Sequence, residues 1–232
     1  MAATIRIFAK PATLWRYRAL SRLVSRDGSE RDRLREEVQA ICDGVIWSSP
    51  YRRMNDPMEG LYERQAARFS NATLERDLAD RMFGEKSGLG IASLTETWDN
   101  ELMWAHYADA FQGICVGYNL DRLLAGLPDG TALSRVVYAD RPRGIRLKGT
   151  TNLASRARAV LSTKSARWSY EREWRMFSPI QGPVRHGPGV IGKVLLGTRI
   201  PEFDERYVRE QFADSGIEVM KIAVDGYRIG RR

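Results

Sequence analysis

The densest chemistry in the sequence lies at Tyr170-Glu171-Arg172-Glu173-Trp174-Arg175. Read as a strand, this segment puts Glu171 and Glu173 on one face about 7 Å apart and Tyr170, Arg172 and Trp174 on the other. Neighbouring carboxylates repel, so the pair calls for a cation: a metal, a positively charged substrate, or simply Arg175, two residues on along the same face. Ser93 and Thr95, separated by Leu94, project two hydroxyls to one side of a strand end. There they can bind a ribose, an amide or a phosphate, or do no more than close a turn. Asp99, Asn100, Trp104, His106 and Tyr107 follow within one loop and one helix, an aromatic and polar mixture of the kind that lines ligand clefts. Histidine ordinarily titrates near neutrality, so His106 can shuttle a proton; alternatively it is a half-buried residue tying its helix to the sheet. Asn55-Asp56-Pro57 with Glu59 offers either local turn bonding or a divalent-metal pair.

Composition narrows the chemistry further. Only Cys42 and Cys115 occur, in unlike contexts, so neither a disulfide framework nor a thiolate cage is legible, and both read as small buried residues. Two histidines, His106 and His186, cannot build a polyhistidine metal site. Any metal would need carboxylates, and no metal residue is assigned. GxGxxG and GxxxxGK[ST] are absent, which argues against a Rossmann dinucleotide site and a P-loop. The net charge of +8, from 37 Lys and Arg against 29 Asp and Glu, favours polyanionic partners such as nucleic acid; a solvated basic surface reads equally well. Apolar runs are far shorter than the roughly 20 residues of a bilayer-spanning helix. Arg6 and Lys10 interrupt what would be the apolar part of a secretory signal. A cytoplasmic protein with no membrane partner is predicted.

The elements that must carry these residues follow from pattern. TLWRYRAL alternates as a strand with Trp15 and Tyr17 on one face and Arg16 and Arg18 on the other. Ser29 caps a predicted helix over Glu30 to Ile41, and a second, longer helix is predicted over Glu63 to Met82. GVIWSSP, GIASLTE, FQGICVGYNL, SRVVYAD, RWSYEREWRMFSPI, GVIGKVLLG and IEVMKIAVDGY read as strands. Asn100 caps a helix through NELMWAHYAD, and further helices are predicted near Ala154 to Leu161 and Asp204 to Phe212. GPVRHGPG, rich in Gly and Pro, reads as a turn or mobile loop. Trp104, Trp168 and Trp174 are predicted to be largely buried. Short helices among unevenly spaced strands predict an α+β fold, with an antiparallel or mixed sheet system, in one domain over residues 1–232.

Several of these segments together resemble a known family. Tyr17-Arg18, Asn55-Asp56-Pro57-Met58-Glu59, Ser93-Leu94, Leu102-Met103-Trp104-Ala105-His106-Tyr107-Ala108-Asp109, Gly113, Lys164 and Trp168 through Arg175 are similar to the bacterial domain-of-unknown-function family 2971. That resemblance covers about residues 13–197 and implies no activity. The order Arg, Ser-x-Thr, Glu-x-Glu also resembles the layout of ADP-ribosyltransferases, with Leu94 where the fuller pattern has a hydroxyl.

This second resemblance implies a fold of that type and NAD as substrate. Arg18 or Arg16 would hold the pyrophosphate, Ser93 and Thr95 would position ribose, and Glu173 would stabilise the ribosyl cation. Glu171 would polarise the acceptor, and Trp104 and Tyr107 would stack on nicotinamide or adenine, with Tyr17 and His106 completing the NAD site. The acceptor would be nucleic acid or protein, in a toxin or phage-defence setting. Two other readings stay open: a Mg²⁺-dependent nuclease using Asp56, Glu59, Glu171 and Glu173, and a non-catalytic nucleotide-binding module.

Overall fold

The computed structural model describes residues 10–21, 23–24, 30–65, 72–146 and 152–231. The fold is α+β, and the chain gathers into two compact units. One comprises residues 1–34, 96–126 and 187–232; the other comprises 35–95 and 127–186.

In the first unit the alternating segment does form a strand, Thr13–Arg18, with Leu14, Trp15 and Tyr17 buried and Arg16 and Arg18 half-buried. It pairs antiparallel with Ile114–Asn119, which pairs antiparallel with Ile191–Leu196. Ile191–Leu196 pairs parallel with Glu218–Asp225, so this sheet is mixed. Trp15 lies opposite Gly117, and a β-carbon at Gly117 would collide with the indole, so the close packing of ring on backbone depends on glycine there.

The helix Glu101–Tyr107 begins where its cap predicts: Asn100 Oδ1 accepts from the N–H groups of Leu102 (2.9 Å) and Met103 (3.2 Å). Asn100→Ala is expected to cost about 1 kcal/mol. Thermal denaturation should show it as a drop of about 2–4 °C. Three consecutive non-glycine residues after this helix, Asp109, Ala110 and Phe111, have positive φ. Their strain is held by Asp109 Oδ2, which accepts from Leu20 N (2.8 Å) and Ser21 N (2.7 Å), and by Phe111 O, which accepts from Arg199 N.

The second unit is built on an antiparallel sheet. Gly182–Arg185 pairs with Val45–Pro50, Val45–Pro50 with Gly90–Thr95, Gly90–Thr95 with Glu173–Ser178, and Glu173–Ser178 with Ala132–Arg135. The helices Ala72–Gly88 and Leu153–Leu161 pack Leu78 and Met82 against Ala157 and Val160.

Five expectations need correction. The long helix starts at Ala72, because Tyr62–Arg64 is a strand paired with Arg143–Ile145, and that pairing overrides local helix preference. Part of the expected stretch, with the proposed Ser29 cap, lies outside the described residues. The earlier helix runs Arg33–Cys42, while Glu30–Arg31 pairs with Leu23–Val24. GPVR is a strand, tolerating Pro183 because its pairing among the described strands is with Val45–Pro50 alone. Trp104 is fully buried, but Trp168 and Trp174 are only half-buried, and Cys42 is exposed whereas Cys115 is buried.

Candidate functional site

The sharpest departure from sequence expectation concerns the two glutamates. Residues Ala166–Glu171 form a 3₁₀ segment, Arg172 takes a left-handed conformation (φ 46°), and the strand starts only at Glu173. Glu171 and Glu173 therefore do not alternate along one strand. They meet all the same, because Arg172 turns the chain and both carboxylates reach Lys164: its Nζ lies 2.6 Å from Glu171 Oε2 and 3.5 Å from Glu173 Oε2.

Around this pair the second unit buries a cluster of ionisable groups. Arg175, with no exposed surface, uses all five guanidinium N–H groups. Nε and Nη2 donate to the two oxygens of Glu173 (2.8 and 3.0 Å). Nη1 and Nη2 donate to the two oxygens of Glu59 (2.7 and 2.6 Å), and Nη1 also donates to the Leu161 carbonyl. Lys164 Nζ sits 4.0 Å from Glu59 Oε1 and 4.5 Å from the centroid of the Trp168 ring, a cation–π contact. The Glu173–Arg175 pairing is one of the cation choices the sequence left open; the Glu59–Arg175 pairing, across 116 residues, had no local signal.

Burial by itself would push the Glu173 carboxyl up. The charge and hydrogen bonds of Arg175, the charge of Lys164 and a hydrogen bond from Ser93 outweigh it and hold the group below its ordinary value of 4.5. A depressed carboxyl contributes stability that is present above the unfolded-state value and lost as pH falls through the folded one. The melting temperature is therefore expected to fall on acidification below about pH 4.5, and to fall less steeply in Glu173→Gln. An equal slope in the two proteins would contradict this account.

The strand pairing explains why Ser93 is there. Glu173 lies opposite Thr95 and Arg175 opposite Ser93, so both hydroxyl residues border the cluster. Thr95 Oγ1 is committed to the Glu171 carbonyl (2.6 Å). Tyr138, brought in by a break between Ala132–Arg135 and Val137–Ala139, accepts from Glu173 N through its hydroxyl (2.8 Å). Beside the cluster lies a pocket of about 110 Å³ bordered by Asp56, Glu59, Lys164, Thr163 and Ser165. Its volume suits a ribose-sized group and is well short of the roughly 300–1,000 Å³ of a drug-sized ligand site.

Of the residues singled out in the sequence, Ser93, Thr95, Glu171 and Glu173 thus come together in the second unit. Arg16, Tyr17, Arg18, Trp104, His106 and Tyr107 belong to the first. There Trp104 packs edge-on to Tyr17 and donates its indole N–H to Trp98 O (2.8 Å), and the Tyr17 hydroxyl donates to Thr97 O. Both rings are buried, and burial pushes the Tyr17 hydroxyl far above its ordinary pKa. Tyr107 is half-buried. His106 is exposed, not half-buried as a residue tying its helix down would be.

Comparison with known proteins adds one finding. Residues 103–176 match the family described as protein of unknown function (DUF2971). Over this stretch the chain is similar to that family. No curated protein and no solved structure matches the chain. The matched stretch holds Trp104, His106 and Tyr107 together with Lys164, Glu171, Glu173 and Arg175, and the remaining partners of the buried cluster, Glu59 and Ser93, lie before it. Among the described residues no helix is long and apolar enough to cross a membrane, and no group of three or more His, Cys, Asp or Glu is arranged to hold a metal ion.

Proposed function

We propose that this chain is an NAD-dependent ADP-ribosyltransferase of the cytoplasm, with nucleic acid or protein as acceptor, of the kind used in toxins or phage defence. The observation that carries the reading is the pairing of Gly90–Thr95 with Glu173–Ser178, which sets Ser93 and Thr95 directly beside a buried, ionised Glu173. Cleaving the bond between nicotinamide and ribose builds positive charge on the sugar. A carboxylate fixed in water-poor surroundings stabilises that charge at little reorganisation cost. The net charge of +8 supports a polyanionic acceptor, whose phosphates would be held by surface arginines.

A second reading, a nucleotide-binding module without turnover, is favoured by one specific observation: Arg175 engages both oxygens of Glu173. For Glu173 to face a ribosyl cation, Arg175 must release one of them while keeping Glu59. The metal-dependent nuclease fits the cluster least, since Glu59, Glu171 and Glu173 already face nitrogen cations. Incubating the protein with NAD labelled in the adenylate, with and without nucleic acid, tests the proposal. Nicotinamide release with label transferred to an acceptor is expected. Saturable NAD binding with no release would move the assignment to the second reading, and no binding at all would overturn both.

A further inference from the structure

We infer that residues 141–170 present the surface by which this protein holds nucleic acid, gripping its phosphate backbone. The inference rests on the nucleic-acid form of the acceptor proposed above and names where that acceptor would sit; it requires no NAD chemistry. These 30 residues contain eight Lys and Arg and no Asp or Glu. The whole chain has 37 Lys and Arg against 29 Asp and Glu, so taking out the eight leaves 29 of each sign, and the net charge of +8 resides in this stretch. Charge gathered in this way acts as a local field, which the same charge spread over a whole surface would not.

Lys164 is buried among its glutamates, and Lys148 lies outside the described residues. Six arginines remain. Arg141, Arg143, Arg146, Arg156 and Arg167 are exposed and Arg158 is half-buried, and none has a carboxylate partner among the described residues. Elsewhere on the chain, by contrast, Lys193, Arg209 and Lys221 stand against Glu218 and Glu205. The fold draws the six together. Ile145, which ends the strand Arg143–Ile145, packs in one cluster with Leu153, Ala157 and Val160 of the helix that carries Arg156 and Arg158. Val137–Ala139 and Thr163–Ser165 run parallel, so Arg141 and Arg167, each two residues past a strand end, leave the pair at the same end. Arg141 also borders the pocket beside Glu59 and Lys164, which sets this surface against the candidate site. On the neighbouring strand Tyr62–Arg64, Glu63 and Arg64 cancel. Guanidinium forks match phosphate oxygens in pairs. No large apolar side chain is exposed among the described residues of the stretch, so nothing there suits insertion into an anionic membrane.

The test is binding of the full chain, without NAD, to fluorescent single-stranded RNA and to single-stranded and duplex DNA of about 30 nucleotides across a salt series. With six phosphate contacts, log K is expected to fall against log salt with a slope of about −4 on single strands and about −5 on the duplex. The triple variant Arg143→Gln, Arg146→Gln, Arg156→Gln is expected to bind at least about tenfold more weakly at about 0.1 M salt, with a slope shallower by about 2–3. The triple variant Arg53→Gln, Arg206→Gln, Arg228→Gln removes the same charge from exposed positions outside the stretch and is expected to stay within about twofold of the wild type. Equal losses in the two triples would overturn the inference, as would an unchanged slope in the first or no binding of any of the nucleic acids by the wild type. So would vesicles of anionic lipid displacing the nucleic acid at equal phosphate. If the first triple fails to fold, Arg143→Gln and Arg156→Gln singly should each make the slope shallower by about one, and unchanged slopes would then overturn the inference. Because NAD is absent, failed NAD turnover leaves this result standing, and failed nucleic-acid binding leaves transfer to a protein acceptor open.

Discussion

Arg175→Met is expected to destabilise the protein by about 3–5 kcal/mol, the usual consequence of removing one partner from a buried ion pair. The size follows from what is left behind. Five hydrogen bonds disappear, and Glu59 and Glu173 remain as buried carboxylates sharing a single nearby cation, Lys164. For a chain of this length the melting temperature should fall by roughly 6–20 °C. Arg175→Lys should recover little of the loss, since an ammonium cannot hold two carboxylates by paired bonds. The triple variant Glu59→Gln, Glu173→Gln, Arg175→Met should be more stable than Arg175→Met alone, because it removes the stranded charges together with their partner. An unchanged midpoint in Arg175→Met would show that the cluster has no role in holding the second unit.

The second large effect separates catalysis from architecture at Glu173. Glu173→Gln keeps the shape and much of the hydrogen-bonding capacity but removes the charge. If Glu173 stabilises a ribosyl cation, turnover of NAD should fall by about two to three orders of magnitude. NAD affinity should stay close to that of the wild type, since ground-state contacts are retained. If Glu173 serves only Arg175, stability should drop while turnover per folded molecule holds. Melting temperature and NAD turnover measured on the same Glu173→Gln, Glu171→Gln and wild-type samples distinguish the outcomes. A stability loss with unaltered turnover would falsify the catalytic role.

Much of the local structure was legible in the sequence, because its causes are local. Asn100 caps its helix, Trp15 and Tyr17 alternate inward, and Asp56 bonds two residues ahead, each through forces acting within a few residues. Legibility failed where distant pairing decides. Tyr62–Arg64 is extended only because Arg143–Ile145 lies alongside it. The αL turn at Arg172 is tied to the meeting of Glu171 with Lys164, so a strand pattern read through Tyr170 to Arg175 could not reveal it. Arg175 as partner of Glu173 was within reach of reasoning on spacing, whereas Glu59 as its second partner was not, since nothing local links residues 116 apart. Lys164 stood out in the sequence only through the family resemblance, and nothing local pointed to its burial among three carboxylates.

That long separation also has a consequence for the order in which the protein is made. Glu59 leaves the ribosome 116 residues ahead of Arg175, and translation proceeds at about 5–20 residues per second, so roughly 6–23 s pass between them. Until Lys164 and then Arg175 are made, the nascent stretch 35–95 has neither to receive Glu59, and the strand Gly90–Thr95 lacks its partner Glu173–Ser178. The second unit is therefore a late-closing structure: its first half can pair Val45–Pro50 with Gly90–Thr95, but Gly90–Thr95 must wait for the last third of the chain to meet Glu173–Ser178. During synthesis, that half is where a chaperone would find exposed strand.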